Sequence, residues 1–246
     1  MDIKKTIKVL NKQFSSADLS EVLTFLLEKY DKKVILASSL GLEDQVLTHC
    51  LLSLNKEARI FVLDTLRLND ETYDVLNETK KKYQFEYEIY YPNKRAVNKL
   101  TKEKGVNSFY ESITNRKECC AIRKLEPLQR VLKTVDVWIT GLRKDQSITR
   151  INMELFEYDE QHNILKINPL INWSYDDVWE AINQYDIPYN KLHDKGYPSI
   201  GCDPCTRAIK LGEDLRAGRW WWEAADQKEC GLHNNKRGKK EKIKII

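Results

Sequence analysis

No stretch of the sequence approaches the ~20 consecutive apolar residues that a bilayer-spanning helix requires, so no membrane association is expected. Charge of one sign is not in excess either. Against 41 Lys and Arg stand 37 Asp and Glu, a net of +4, which is too little to support a general affinity for nucleic acid. The first 13 residues are lysine-rich and lack an uninterrupted apolar stretch. They do not read as a secretory signal, and a cytoplasmic protein with reduced thiols is expected. Internal repeats, low-complexity tracts and linkers are also missing. Residues 1–246 are therefore expected to form a single α/β domain, with the basic stretch 236–246 as a mobile tail. A chain of this length buries a substantial core without disulfide staples.

What is there is an alternation of strand and helix patterns. Short apolar runs at 33–37, 59–63, 87–91 and 135–140, and a weaker one at 164–167, read as strands. Helical spacing marks 42–54, where Leu42, Val46, Leu47, Cys50, Leu51 and Leu54 share a face, and also about 70–83 and 121–132. Ser174, with Asp177 three places on, reads as the N-cap of a helix to 184. This order predicts an α/β fold, a parallel twisted sheet with helices on both faces. In such sheets ligands bind beyond the carboxyl ends of the strands. Three polar segments are expected to converge there: 38–44, 64–67 and 141–147.

Each segment has chemistry of its own. Ser38-Ser39-Leu40-Gly41 joins a strand to a helix, where backbone N–H groups and the helix dipole favour a phosphate, although it matches neither the Walker nor the dinucleotide fingerprint. Arg67 follows Asp64-Thr65-Leu66, and a guanidinium fork suits phosphate or sulfate. Arg143, Lys144 and Arg150 surround one loop, and Arg216 and Arg219 precede Trp220-Trp221-Trp222. These basic side chains point to a small, multiply charged anion, the alternative being ion pairs in solvated loops. The tryptophans read as packing residues, with an exposed indole available to a docking protein.

Cysteine is used sparingly but in a pattern. Cys119-Cys120 and Cys202-x-x-Cys205 supply enough thiolates for tetrahedral zinc or for an iron–sulfur cluster. A redox pair at Cys202 and Cys205, or unrelated buried cysteines, are the other readings. Arg123 and Lys124 follow the adjacent pair closely enough to lie on its side of a helix and compensate an anionic group. Cys230, with His233 three residues later, reads as a free thiol that a nearby imidazole or arginine would activate, and Cys50 as a core residue.

Together, Ser38 to Val46, Leu63-Asp64-Thr65-Leu66-Arg67, Glu71-Thr72-Tyr73, Cys119-Cys120, Thr140 to Arg143 with Asp145 to Ser147 and Thr149-Arg150, the C-x-x-C and Glu229 to His233 resemble the thioredoxin-dependent adenylyl-sulfate reductases. These belong to the wider adenosine 5'-phosphosulfate and 3'-phosphoadenosine 5'-phosphosulfate reductase family. The resemblance spans roughly positions 34 to 233. It implies a fold of the adenine-nucleotide α-hydrolase (HUP/PP-loop) type and a 4Fe-4S cluster on Cys119, Cys120, Cys202 and Cys205. It further implies Cys230 as the nucleophile that takes the sulfonate, with thioredoxin releasing sulfite. Ser38, Ser39, Arg67, Lys124, Arg143, Arg150, Arg216, Arg219 and His233 match positions that bind the substrate. The paired cysteines imply adenosine 5'-phosphosulfate, with the 3'-phosphorylated form, or both, as the alternative. A zinc-stabilised nucleic-acid-binding or RNA-modifying protein is the rival from another class. Oligomeric state is open, and a homo-oligomer is compatible with the sequence. One departure stands out: Leu66 replaces the usual glycine of the Leu-Asp-Thr-Gly-Arg motif. Because leucine takes a positive φ only at a cost, an ordinary backbone or a slightly reshaped pocket is expected there.

Overall fold

The computed structural model describes residues 3–146 and 150–224. Ser147, Thr149, Cys230, His233 and the basic tail 236–246 lie outside the described residues. Six strands form one sheet: β1 (Val34–Ser38), β2 (Arg59–Leu63), β3 (Glu88–Tyr90), β4 (Val137–Ile139), β5 (Phe156–Asp159) and β6 (Ile164–Ile167), in the order β3-β2-β1-β4-β6-β5. All neighbours are parallel except β5, which pairs antiparallel with β6. The helices are α1 (Ile3–Gln13), α2 (Leu19–Tyr30), α3 (Leu42–Leu54), α4 (Asp70–Tyr83), α5 (Lys94–Lys104), α6 (Ile113–Cys120), α7 (Glu126–Leu132) and α8 (Tyr175–Gln184).

The alternation of side chains along each strand divides the core between the two faces of the sheet. Val34 and Leu36 of β1, Ile60 and Val62 of β2, and Val137 and Ile139 of β4 pack in one cluster with Ile7, Leu10, Val22, Leu26, Leu47, Leu51 and Val75 from α1 to α4. Ile35, Phe61 and Trp138, one residue out of phase, pack on the other side with Leu128, Val131 and Leu132 of α7. The expected two-faced parallel sheet is therefore present. Among the described residues no helix is long and apolar enough to cross a membrane.

Local signals set several ends. A capping box at Ser174 and Asp177 starts α8, another at Asp18 and Glu21 starts α2, and the Asn93 side chain caps α5. Three features differ from expectation. The helix expected over 121–132 is α7 preceded by a π-helical turn, Ala121–Leu125, continuous with α6. The edge strand β5 has the sequence Phe-Glu-Tyr-Asp, whose two acids mask its alternation. Leu66 does adopt a left-handed backbone, with φ of 59°, where an ordinary backbone was one of the two outcomes expected. Its N–H donates to Asp64 Oδ1 at 2.7 Å and its side chain is 54% exposed. That turn offsets the roughly 1–2 kcal/mol that the left-handed region costs an L-residue.

Candidate active site

In the order 3-2-1-4 the chain leaves β1 toward β2 on one side, whereas β4 is added on the other. The crevice between the ends of β1 and β4 is thus the topological switch point where open α/β sheets bind ligands. A cavity of about 280 Å³ occupies it, near the lower end of the roughly 300–1,000 Å³ typical of small-molecule sites. The loop after β1 is held by α3. Ser39 donates to Asp44 Oδ2 through its N–H at 2.7 Å and its hydroxyl at 2.6 Å, and the Leu40 N–H donates to Ser38 Oγ at 3.1 Å. Leu40 takes a φ of 62° to make this turn. Burial pushes the Asp44 carboxyl up to about 6, although the hydroxyl and N–H of Ser39 and the N–H of Gly141 act to lower it. Asp44 therefore joins the loop after β1 to the loop after β4. Gly141 allows the approach, because a Cβ there would stand 2.3 Å from Asp44 Oδ1.

Of the residues that the sequence singles out, Ser38, Ser39, Lys124, Arg143, Arg150, Arg216 and Arg219 all line this cavity. Arg143 is nearly fully buried and donates to Glu43 Oε1 at 2.9 Å and to Asp145 Oδ2 at 3.2 Å. Gln146 donates to the same Glu43 oxygen at 2.9 Å and accepts from Arg150. Arg219 donates to Ile200 O at 3.0 Å and Ser199 Oγ at 3.3 Å. Gly201 makes room for it, since a Cβ there would lie 2.4 Å from Arg219 Nη2. Arg67 is placed elsewhere: it donates to Val106 O at 2.8 Å, lies 5.0 Å from the Phe109 ring centroid, and lines a second, smaller cavity.

That second cavity brings the four cysteines together. Cys119 and Cys120 end α6, while Cys202 and Cys205 bracket a 3₁₀ turn closed by Cys205 N–H donating to Cys202 O at 2.9 Å. All four line it with Arg67, Arg116, Arg123 and Lys124. The sulfurs surround this space rather than meet at a point: no three described His, Cys, Asp or Glu side chains are set to hold a single metal ion. Burial works against thiolate formation at Cys202, yet Lys124, the Thr65 hydroxyl, Arg219 and Arg123 outweigh it and lower this thiol's pKa. Burial and Cys202 push Cys205 up to about 12. Cys50 lies apart on α3, packed against the core, and burial pushes its thiol up to about 11.

Lys124 lines both cavities, and the backbone ties them further. Thr206 bridges Arg219, the Trp220 N–H donates to Cys205 O at 3.0 Å, and the Arg207 N–H donates to Gly218 O at 3.0 Å. Trp220 is buried beneath two guanidinium groups, Arg116 at 4.7 Å and Arg219 at 4.9 Å. Arg116 also makes a two-pronged pair with Glu223, at 2.9 and 2.7 Å, with side chains only 2% and 3% exposed. Sequence reasoning assigned no role to Arg116 or Asp44. Asp44 had a signal in its place at the start of a helix after a Ser-Gly turn, whereas Arg116 had none.

The fold is of the adenine-nucleotide α-hydrolase type. It is shared with Candida glabrata FMN adenylyltransferase at a TM-score of 0.55 and 14% identity, over 93% of this chain and 77% of that one. A phosphoadenylyl-sulfate reductase from Candida auris is nearer, with a TM-score of 0.71 and 30% identity over 82% of this chain and 96% of that one. Residues 33–208 match the phosphoadenosine phosphosulfate reductase domain, and the chain belongs to that family. It is 50% identical to the adenosine 5'-phosphosulfate reductase of Burkholderia cepacia over 87% of this chain and 86% of that protein. To the protein of the same name from Allochromatium vinosum it is 48% identical, over 81% and 78%.

Two outcomes follow from this geometry. Gly141→Ala forces a methyl group against the Asp44 carboxylate and is expected to cost about 1–3 kcal/mol in urea denaturation. Glu223→Gln leaves the Arg116 guanidinium buried without its carboxylate, and a loss of about 3–5 kcal/mol is expected. A denaturation midpoint unchanged from wild type would contradict either one.

Proposed function

We propose that this chain reduces adenosine 5'-phosphosulfate to sulfite and AMP in assimilatory sulfate reduction, acting in the reducing cytoplasm as a single α/β domain. The observation that carries the proposal is the junction at Lys124 between a cation-lined crevice at the sheet's switch point and a cavity lined by four cysteines. Relatives named adenosine 5'-phosphosulfate reductase over most of their length support it. In this reading Arg143, Arg150, Arg216, Arg219 and Lys124 neutralise the phosphosulfate, and Ser38 and Ser39 hold the nucleotide at the β1 turn. Arg67, on the cysteine side, adds to the field around the anion.

Cys230 is the proposed nucleophile. Its thiolate attacks the sulfate sulfur, the bond from that sulfur to the bridging oxygen breaks, and AMP leaves with the electron pair, stabilised by the cations. His233 helps to hold the reacting group. The resulting S-sulfocysteine is then attacked at Cys230 Sγ by a thiolate of thioredoxin, which expels sulfite and leaves a mixed disulfide. The second thioredoxin thiol resolves that disulfide and restores the Cys230 thiol, so that the two electrons come from the dithiol.

The donor set supports a 4Fe-4S cluster on Cys119, Cys120, Cys202 and Cys205: four soft sulfur ligands surround one space with cations around them. A cluster held there supplies a fixed charge centre beside Lys124, tuned by those cations. The paired cysteines favour adenosine 5'-phosphosulfate over the 3'-phosphorylated substrate.

With reduced thioredoxin, the purified protein is expected to release sulfite from adenosine 5'-phosphosulfate, and Cys230→Ser to release none. Activity only on the 3'-phosphorylated substrate would reverse the substrate assignment, and an unimpaired serine variant would remove the mechanism. The metal content should be about four irons per chain, and one zinc instead would refute the cluster.

A further inference from the structure

The loop after β4 carries a side chain that the proposed chemistry does not use. Gln146 closes a 3₁₀ turn, Lys144–Gln146, and lines the large cavity. Its amide joins an acid to an arginine. Oε1 accepts from the Arg143 N–H at 3.2 Å and from the Arg150 guanidinium, while Nε2 donates to Glu43 Oε1 at 2.9 Å. A carboxamide oxygen has two lone pairs, and both are taken. The reverse orientation would set the NH2 group against two donors and the oxygen against a carboxylate, so these partners fix which way the amide points.

The turn that presents the amide is anchored. The Lys144 N–H donates to Ile171 O at 3.0 Å, Lys144 Nζ to Asn172 Oδ1 at 3.2 Å, and Arg143 Nη1 to Trp173 O at 3.3 Å, all on the segment just before α8. Glu43 is fixed as well, because Arg143 Nε donates to the same carboxylate oxygen at 2.9 Å. Glu43 and Arg150 thus stand on opposite sides of one amide. Without it, a carboxylate and a guanidinium this close are expected to pair directly, as Glu43 and Arg143 already do. An arginine paired in that way has much of its charge offset by the acid. A neutral amide orients Arg150 and leaves that charge for an anion in the crevice.

We propose that Gln146 is a positioning residue that aims the Arg150 guanidinium at the bound phosphosulfate and keeps Glu43 from capturing it. The inference rests on the role given to Arg150 and on the sulfonucleotide occupying this crevice. The test is a double-mutant cycle by calorimetry on the holoenzyme, with Cys230→Ser as the parent so that adenosine 5'-phosphosulfate binds without turnover. Gln146→Met, which keeps the side chain's length without its amide, is expected to bind adenosine 5'-phosphosulfate about tenfold more weakly. Binding of adenosine, which has no anionic group, should be unchanged. With Arg150→Ala already present, Gln146→Met should cause no further loss, since a residue acting only through Arg150 has nothing left to act on. In turnover with Cys230 restored, kcat/KM for the sulfonucleotide should fall and the KM for thioredoxin should stay the same. Losses that add to those of Arg150→Ala, an equal loss for adenosine, or unchanged sulfonucleotide binding would overturn the inference. If Gln146→Met does not fold, Gln146→Ala serves in the same cycle under the same criteria. A parent protein that binds neither ligand would instead remove the nucleotide reading, and this inference with it.

Discussion

The Asp44 carboxylate is the constraint on which the crevice depends. It is buried at the start of α3, where three donors from two loops reach it: the N–H and hydroxyl of Ser39 and the N–H of Gly141. Those loops follow β1 and β4, the two strands whose divergence creates the site. An amide or hydroxyl in its place could not accept from all three so well, because an ionised carboxylate has about four lone-pair positions. Keeping the charge out of water is unfavourable, as its pKa near 6 against an ordinary 3.8 indicates. The sign is clear: a carboxyl whose folded pKa is raised weakens the fold progressively as pH rises from about 4 through 6. At neutral pH the molecule thus carries a cost in stability at the residue that shapes its site.

A second set of ties does for the cations what Asp44 does for the loops. Arg216 and Arg219 come from an irregular segment with no helix or strand to hold it, yet that segment is fixed through the bridge of Thr206 to Arg219 and the bonds from Trp220 to Cys205 and from Arg207 to Gly218. Gly218 and Gly201 are needed for closeness, not for flexibility. A Cβ at the first would stand 2.2 Å from Arg207 O, and one at the second would strike the Arg219 guanidinium. The position of Arg219 is thereby set by the C-x-x-C segment, so whatever fills the cysteine cavity bears directly on the geometry of the cation-lined crevice.

Much of this was legible in the sequence because it rests on local patterns. Helices α3, α4 and α8 and strands β1, β2 and β4 have strong periodicity or short buried runs, and the polar segments follow strand ends as the parallel topology requires. The parts that were not legible depend on tertiary partners. Helix α5 is so polar that only Leu100 is buried, which leaves little pattern to read. Asp159 of β5 is buried, its carboxylate met across the turn by the His162 ring at 2.9 Å and by the N–H groups of Gln161 and His162. Arg116 looks like an ordinary surface charge until Glu223, more than one hundred residues later, is folded against it. Leu66 was read from the backbone cost alone. The Asp64 side chain, which holds the turn, changes the outcome.

The π-helical turn after Cys120 explains how one helical segment serves both cavities. In an unbroken α-helix, residues three and four places after the cysteines return to the same face. Arg123 does so: it lines the cysteine cavity and donates to Thr65 O at 2.7 Å. Lys124 lines that cavity and the larger crevice as well. The wider turn over Ala121–Leu125 changes the register before α7 resumes with Glu126, and its neighbours Lys124 and Leu128 both line the crevice. A π turn gives up regular hydrogen bonding and is found disproportionately at functional sites. Here it stands between the thiol pair and the residues that face the crevice, and it gives the two sites a shared cation rather than only a shared wall.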